Sequence, residues 1–568
     1  MSSESDHYVV ESATTPQDNE ALFKSKRFVY VTDSNSNAGS FSSEIQFDLG
    51  TIGSQGDWTL LSEAQIEIPV FTTLQAADAL FASDVNTVWN KDLSVLKNGS
   101  HHMIHSAALN INGRQIQDFQ QYQNVSTHAD MMTTWSQEEL NKYSSTLHMS
   151  KALEDYSDFD STAVGSIMNA NGVVTSSITN NVSIADRRNA QCTNVAATSI
   201  NSSIGYSTTC GKSQVQVRAS GTVTAGAIAV GTYVYVKYDT ITVRLKDIVP
   251  AVKSLPPLKN IRGYLYLKLN SIEAKLDSAG SGQAALSVTS VTSPAGSSPV
   301  QLLSTPAGAL TGLIATVGTN GVPTGGTAGL ATAAGKWTLR CSALGVNPSS
   351  TLTTPAPAHV NARLICSKLE ANPAVDAALS MKKQFTVWER RTNSAKLAPL
   401  QGNTFTINSG VANPRFVRCY PFYEGVGTSG IGSFPASYNA LNSLGSSEGA
   451  TTSPLAQLTN FNVYVGNKAQ FQDPQNYDYE NFMYEVVKLG MQGGMDSQLG
   501  SGLINSYLWE RFYRYYCCDV SRRLDSEDGN LKSIQVQATN ATKMAMNILV
   551  DVFSERVYTI DTALCQFI

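Results

Sequence analysis

Alternation of apolar and polar side chains with a period of two is the dominant pattern along the chain. In Glu44 to Leu49, Ile45, Phe47 and Leu49 fall on one face and Glu44, Gln46 and Asp48 on the other, which predicts a half-buried strand. The same pattern predicts strands over Gln65 to Ile68, Leu109 to Asn112, Tyr264 to Leu269, Phe461 to Val465, Ser533 to Gln537 and Ile548 to Val552, each bounded by Gly, Asn, Asp or Ser. Helical spacing is rare. Tyr479, Phe482, Met483, Val486 and Val487 recur at i, i+3, i+4, i+7 and i+8 between Asp473-Pro474 and Gly490, so a helix lying on a β-core is expected there. His128, Met131, Met132 and Trp135 follow the same spacing and lead into a capping-box pattern from Ser136 to Glu139, which suits two short helices better than one.

Two stretches of the first half recur in order in the second. Leu109-Asn110-Ile111-Asn112-Gly113 leads into Gln117-Asp118-Phe119-Gln120, as Phe461-Asn462-Val463-Tyr464-Val465-Gly466 leads into Gln470-Phe471-Gln472-Asp473. Further on, Tyr238 to Leu245, a connector and Leu258 to Asn270 parallel Tyr513 to Leu524, a connector and Leu531 to Asn540. Two related β-domains in tandem explain both pairings.

The length of 568 residues fits a few domains at about 150 residues each, fewer if they are large β-sandwiches. Charged residues make up only 15%, and 40 Lys plus Arg against 45 Asp plus Glu leave a net charge of −5. That balance speaks against a basic nucleic-acid-coating protein, against charged disorder and against coiled coil. No run approaches the roughly 18 apolar residues a membrane helix needs, and the polar, acidic Met1 to Glu20 does not read as a secretion leader. Cys192, Cys210, Cys341, Cys366, Cys419, Cys517, Cys518 and Cys565 include no CxxC pair, so reduced thiols in an intracellular compartment are expected. Between Asp277 and Lys336 no charge occurs, and Asp160 to Gly231 is similarly rich in Ser, Thr, Asn and Gly. Each reads either as a flexible linker or as a long excursion with short strands that packs against neighbours.

The motifs that resemble catalytic or binding signatures fail on context. Gly445-Ser446-Ser447-Glu448-Gly449 has the G-x-S-x-G form without a strand before it or a helix after it, and no histidine follows Ser447. Gly211-Lys212-Ser213 lacks a glycine at the P-loop distance, since Gly205 is one residue too far. His101, His102 and His105 come together only if the segment is helical, and no HExxH or carboxylate accompanies them, so a satisfied polar cluster is expected rather than a metal site. Glu154, Asp155, Asp158 and Asp160 lack the glycine and spacing of a Ca²⁺ loop, and Asp525 to Gly529 reads as a turn. Trp509, Phe512, Tyr513, Tyr515 and Tyr516, interleaved with Arg511 and Arg514, have the composition of a base-stacking surface. As a β-segment they would instead alternate between a core and a subunit contact. Sequons at Asn98, Asn124, Asn181 and Asn201 are of the kind Ser-rich loops generate by chance. No catalytic, cofactor-binding or metal-ligating residue and no cofactor is expected.

Four segments, in order, carry a resemblance. Ile241 to Ile248, Ser254-Leu255-Pro256 and Gly263 to Asn270 come first, followed by Ala371-Asn372-Pro373 leading to Lys382 to Phe385. Gly466 with Tyr477 to Phe482 comes third, and Thr559 to Thr562 last. Together they resemble double jelly-roll major capsid proteins, particularly those of Polinton-like viruses and virophages. The resemblance implies a mainly all-β chain of two tandem eight-stranded jelly-roll barrels, with short helices and long loop insertions in the first barrel. The arm would span residues 1–25, the first barrel 26–380 with excursions at about 160–231 and 277–336, and the second barrel 381–568. By resemblance the excursions are outward loops between the fourth and fifth and the sixth and seventh strands of the first barrel.

It further implies trimers acting as pseudo-hexameric capsomers of an icosahedral shell around double-stranded DNA. Its partners would be itself, neighbouring capsomers and minor or penton proteins, its place the virion, its assembly inside the host cell. The acidic arm, Met1 to Asn19, gives no reason for direct DNA binding and is expected to be disordered or a clamp beneath a neighbour. The alternative is a carbohydrate-binding or adhesive β-rich surface or fibre protein whose Tyr and Trp side chains stack on sugars.

Overall fold

The computed structural model describes residues 23–34, 44–53, 56–77, 80–82, 94–97, 99–143, 146–149, 205–206, 214–216, 226–228, 231, 233–279, 285–292, 297–302, 335–343, 361–423, 456–490, 502–511, 513–522, 529–542 and 545–567. Sixteen strands form the frame of two sandwiches. In the first half they are β1 (Phe23–Thr32), β2 (Glu44–Asp48), β3 (Trp58–Ala76), β4 (Ile104–Ile111), β5 (Arg114–Gln117), β6 (Tyr233–Arg244), β7 (Gly263–Leu269) and β8 (Arg363–Ala371). The second half carries β9 (Lys382–Leu397), β10 (Gly402–Ala412), β11 (Pro414–Tyr423), β12 (Leu458–Val465), β13 (Lys468–Ala469), β14 (Tyr516–Asp519), β15 (Leu531–Asn540) and β16 (Met546–Asp561).

Strand order repeats between the halves. The first sandwich pairs β1-β8-β3-β6 in one sheet and β2-β7-β4-β5 in the other, and the second pairs β9-β16-β11-β14 and β10-β15-β12-β13. Adding eight to each strand of the first set gives the second. This antiparallel order, in which consecutive strands pass between facing sheets except at the β4–β5 and β12–β13 hairpins, is the jelly roll. The recurring sequence segments are its equivalent parts. Leu109 to Gly113 and Phe461 to Gly466 end in two-residue hairpins, closed by the pairs Ile111–Arg114 and Val465–Lys468. Asn112, Gly113, Gly466 and Asn467 all have positive φ, 48°, 79°, 55° and 65°, the backbone a tight type I′ hairpin requires.

Four helices follow the β5 and β13 strands: α1 (Gln123–Thr134) and α2 (Gln137–Tyr143), then α3 (Tyr479–Gly490) and α4 (Ser506–Arg511). The split between α1 and α2 falls at the expected capping box. Glu139 N donates to Ser136 Oγ at 3.2 Å, and Ser136 N donates to Glu139 Oε2 at 2.9 Å. In α3, Phe482 and Val486 are buried on the core side.

Two expectations change, and one alternative is decided. The long excursions leave the first barrel between its fifth and sixth and its seventh and eighth strands, because β5 is only four residues long and easily missed in a count. The described part of the 277–336 excursion is no free linker. Ala285–Thr292, Ile272–Ala279 and Gly335–Ala343 pair in that order and continue the sheet onto the far half of β3, from Val70 to Ala76. Finally, Ile548 to Val552 is buried on both faces rather than one. The N-terminal arm as far as Leu22 lies outside the described residues. No helix among the described residues is long and apolar enough to cross a membrane.

The two cores interlock. The first is built from both sheets of the first sandwich, among them Phe47, Ile66, Leu109, Ile241, Leu265 and Leu364, and takes in Phe385, Val387, Tyr558 and Ile560 from the ends of β9 and β16. The second core takes in Val125, Ala129, Met131 and Met132 from α1, Leu140 from α2 and Trp135 between them, all from the first half. Each half therefore buries apolar surface supplied by the other.

Candidate functional site: the junction of the two halves

Helix α1 lies across the outer face of the β9-β16-β11 layer, and the cause is written in buried charge. In register, Asp551 on β16 is flanked by Thr392 on β9 and Arg418 on β11. Alternation puts Arg390 beside Thr392 and Tyr420 beside Arg418 on the same face. Ser126 and Asp130, four residues apart on α1, come down onto this group from the first half. Ser126 Oγ donates to Asp551 Oδ1 at 3.0 Å, as does Thr392 Oγ1 at 2.6 Å. Tyr420 OH donates to Asp551 Oδ2, and Arg418 Nη2 lies 3.4 Å from the same oxygen. Asp130 receives Arg418 Nη2 on Oδ1 at 2.6 Å and Arg390 Nη1 on Oδ2 at 2.9 Å.

Two guanidinium groups and two carboxylates thus cancel across the junction. The Arg418 and Asp551 side chains are fully excluded from solvent, and that of Asp130 is 20% exposed. Burial would raise the Asp130 pKa, but Arg418 and then Arg390 outweigh it and hold the carboxyl below its ordinary range. Burial likewise opposes the charge on Arg418, yet Tyr420, Asp130 and Asp551 together keep its pKa well above normal. A slip of α1 along the sheet would leave a buried charge unmatched, at a cost of several kcal/mol. The group therefore fixes one orientation of the halves, while the surrounding apolar contacts supply the adhesion.

A second tether spans the chain crossover. Asp376, on the short helix Pro373–Leu379 that leads into β9, accepts from Trp58 Nε1 at 2.7 Å and Lys259 Nζ at 2.9 Å. The Lys259 hydrogen bond holds its carboxyl below the ordinary value. At the C-terminal end, Asn260 Nδ2 donates to Ala563 O at 3.1 Å, and Asn112 Nδ2 donates to Cys565 O. The final turn is thereby hooked onto the first barrel.

Among the described residues, no sequence motif builds a reaction centre. Ser447, Gly211 to Ser213, Glu154, Asp155, Asp158, Asp160 and the sequons Asn98, Asn181 and Asn201 lie outside the described residues, as do Cys192, Cys210 and Asp525 to Asp528. Asn124 is 1% exposed inside α1, so its sequon faces no solvent. Cys341, Cys366, Cys419, Cys517, Cys518 and Cys565 are free thiols. Burial pushes Cys366 and Cys565 up to about 12.

The aromatic run is neither a stacking platform nor a strand alternating with a subunit contact. Trp509 is in α4, Tyr516 opens β14, and Trp509, Tyr513, Tyr515 and Tyr516 are all buried in the second core. The histidines also regroup. His101 and His102 face His128 of α1, while His105 packs edge-on against Tyr122, 6.0 Å between ring centres. Sequence reasoning missed the junction quartet, although a signal was present: Arg418 and Asp551 each interrupt an otherwise apolar strand, Phe416 to Tyr420 and Ile548 to Phe553.

No protein-family model and no curated protein matches the chain. Among solved structures, that of the Sputnik virophage is similar over 96% of this chain and 89% of its own, at 12% identity and a TM-score of 0.48. The mavirus major capsid protein is similar over 100% of this chain and 94% of its own, at 11% identity and a TM-score of 0.45. A capsid structure of the virus PBCV-1 matches over 96% of both chains at 8% identity, with a TM-score of 0.36. The strand order repeated in both halves establishes the architecture: this chain is a double jelly roll.

Proposed function

We propose that the chain is the major capsid protein of a virus, with a mechanical rather than catalytic role. Three copies form a trimeric capsomer, and such capsomers pave an icosahedral shell around a double-stranded DNA genome. The observation that carries this reading is the pair of jelly rolls with one strand order, locked to each other by exchanged core residues and a buried charge quartet. Three such rigid pairs around a threefold axis present six similar barrels, a tile that packs hexagonally. The resemblance read in the sequence points the same way. Minor and penton proteins would fill the remaining shell positions, with assembly in the host cell and the virion as the protein's place.

A face for contact between copies is available on β1. Among the described residues this strand pairs only with β8 and so stands at the edge of its sheet. It carries Phe28 and Tyr30 at 65% and 60% exposure. Exposed edges with large apolar side chains invite pairing unless a partner covers them. Light scattering of the purified chain tests the reading. A compact species of three times the chain mass is expected, and a stable monomer that binds glycans would replace it with the adhesive alternative.

A further inference from the structure

Three histidine rings meet inside the molecule at the foot of the junction. His101 and His102 lie on the one-turn helix Ser100–Met103 that enters β4, and His128 comes from the middle of α1. Their ring centres stand 4.3, 5.3 and 5.2 Å apart, nearly an equilateral triangle. All three are at most 1% exposed. One nitrogen from each ring can be chosen so that the three lie within 4.8 Å of one another. Among the described residues, His101 Nε2, His102 Nε2 and both nitrogens of His128 have no hydrogen-bond partner. This is not the satisfied cluster the sequence suggested, and His128 has taken the place of His105.

The surroundings are built to hold the rings. Ser100 N donates to Leu147 O at 2.8 Å, and Ser100 Oγ donates to Thr242 O at 2.5 Å. Asn270 Nδ2 donates to His102 O at 3.0 Å. Gly99 has φ 134°, and a Cβ placed there would meet the His101 ring at 2.2 Å, so glycine is required for that ring to lie where it does. Asn124, one helical turn before His128, reaches His102 Nδ1 at 3.4 Å. Turning its amide over presents the otherwise unpartnered Oδ1 to that nitrogen as an acceptor. His102 Nε2 is then left as the free electron pair, the arrangement that second neighbours impose on metal-binding histidines.

We propose that His101, His102 and His128 bind one divalent transition-metal ion, with Zn²⁺ the species their chemistry favours. Three neutral imidazoles with a fourth position for water make a common tetrahedral zinc set. Burial disfavours a protonated imidazole, so neutral rings are the form this interior accommodates. The nitrogens need to close to about 3.4 Å, the edge of a tetrahedron with bonds of about 2.0–2.1 Å, which ring rotations can supply. Lys97, 2% exposed in the same interior, is an adverse neighbour of His102 and His128, and burial there disfavours its charge as well. The ion would pin α1 to the first barrel on one face while Ser126 and Asp130 pin it to the second on another. It is a structural rivet independent of whether the chain builds a shell.

The test uses the full chain, loaded with Zn²⁺, dialysed into metal-free buffer and assayed for metal by mass spectrometry and for stability by thermal unfolding. About one Zn²⁺ per chain, a Tm that rises with Zn²⁺ and falls with chelator, and tetrahedral absorption after Co²⁺ exchange are expected. His128→Ala should lower affinity by at least about tenfold, while His105→Ala, outside the triangle, keeps it. Should His128→Ala fail to fold, the wild-type measurements decide alone. Folded wild type with no retained Zn²⁺ and no Zn²⁺-dependent Tm would overturn the proposal, as would full retention by folded His128→Ala.

Discussion

Arg418 has no water to turn to: its side chain is fully buried between Asp130 and Asp551, contributed by different halves of the chain. Arg418→Met should therefore destabilise the protein by about 3–5 kcal/mol, because two carboxylates lose their counter-charge at once. Replacing Arg418, Asp130 and Asp551 together by apolar residues of similar size should recover much of that loss. Urea unfolding of the single and triple variants measures both, and an Arg418→Met as stable as wild type would contradict the assigned role. Asp130 adds a pH signature. Its folded pKa is depressed by Arg418 and Arg390 against the pull of burial, so its contribution is present above the unfolded value of about 4 and lost as the pH falls through the folded one. The stability gap between wild type and Asp130→Asn should be full at neutral pH and shrink steadily below about pH 4. A gap independent of pH would assign Asp130 a packing role only.

At the scale of elements, period-two alternation located the strands with one wet face, such as Glu44–Asp48, and helical spacing located α1 and α3, since both patterns report a single buried side. Ile548 to Val552 alternates weakly because α1 covers its second face, a tertiary contact invisible to a local pattern. The four-residue β5 was lost for the opposite reason: it is too short to carry a period. The histidine triangle was half legible. His101 and His102 are adjacent in the chain, but His128 joins them only through the way α1 packs. The apolar stripe of α3 makes a checkable claim. Phe482 is fully buried against Trp509 and Tyr515, so Phe482→Ala should cost about 3–5 kcal/mol. Chemical denaturation would show this, and a loss well below about 1 kcal/mol would mean the helix is not part of the core.

For the whole molecule, interlocked cores make the two barrels one rigid body, and rigidity is what a tile requires. On the proposed capsid role, contacts between tiles come from outward side chains, and Phe28 and Tyr30 on the β1 edge offer two large, exposed aromatics side by side on one strand. Phe28→Asp with Tyr30→Asp should leave the Tm close to wild type while shifting the scattering mass from trimer to monomer. An unchanged trimer would move the contact elsewhere on the surface. The most direct measurement is an image: negative-stain class averages of the purified chain viewed down the symmetry axis. Six lobes of alternating character within a hexagonal outline are predicted, and isolated two-lobed particles that never form rings would contradict the shell-building role.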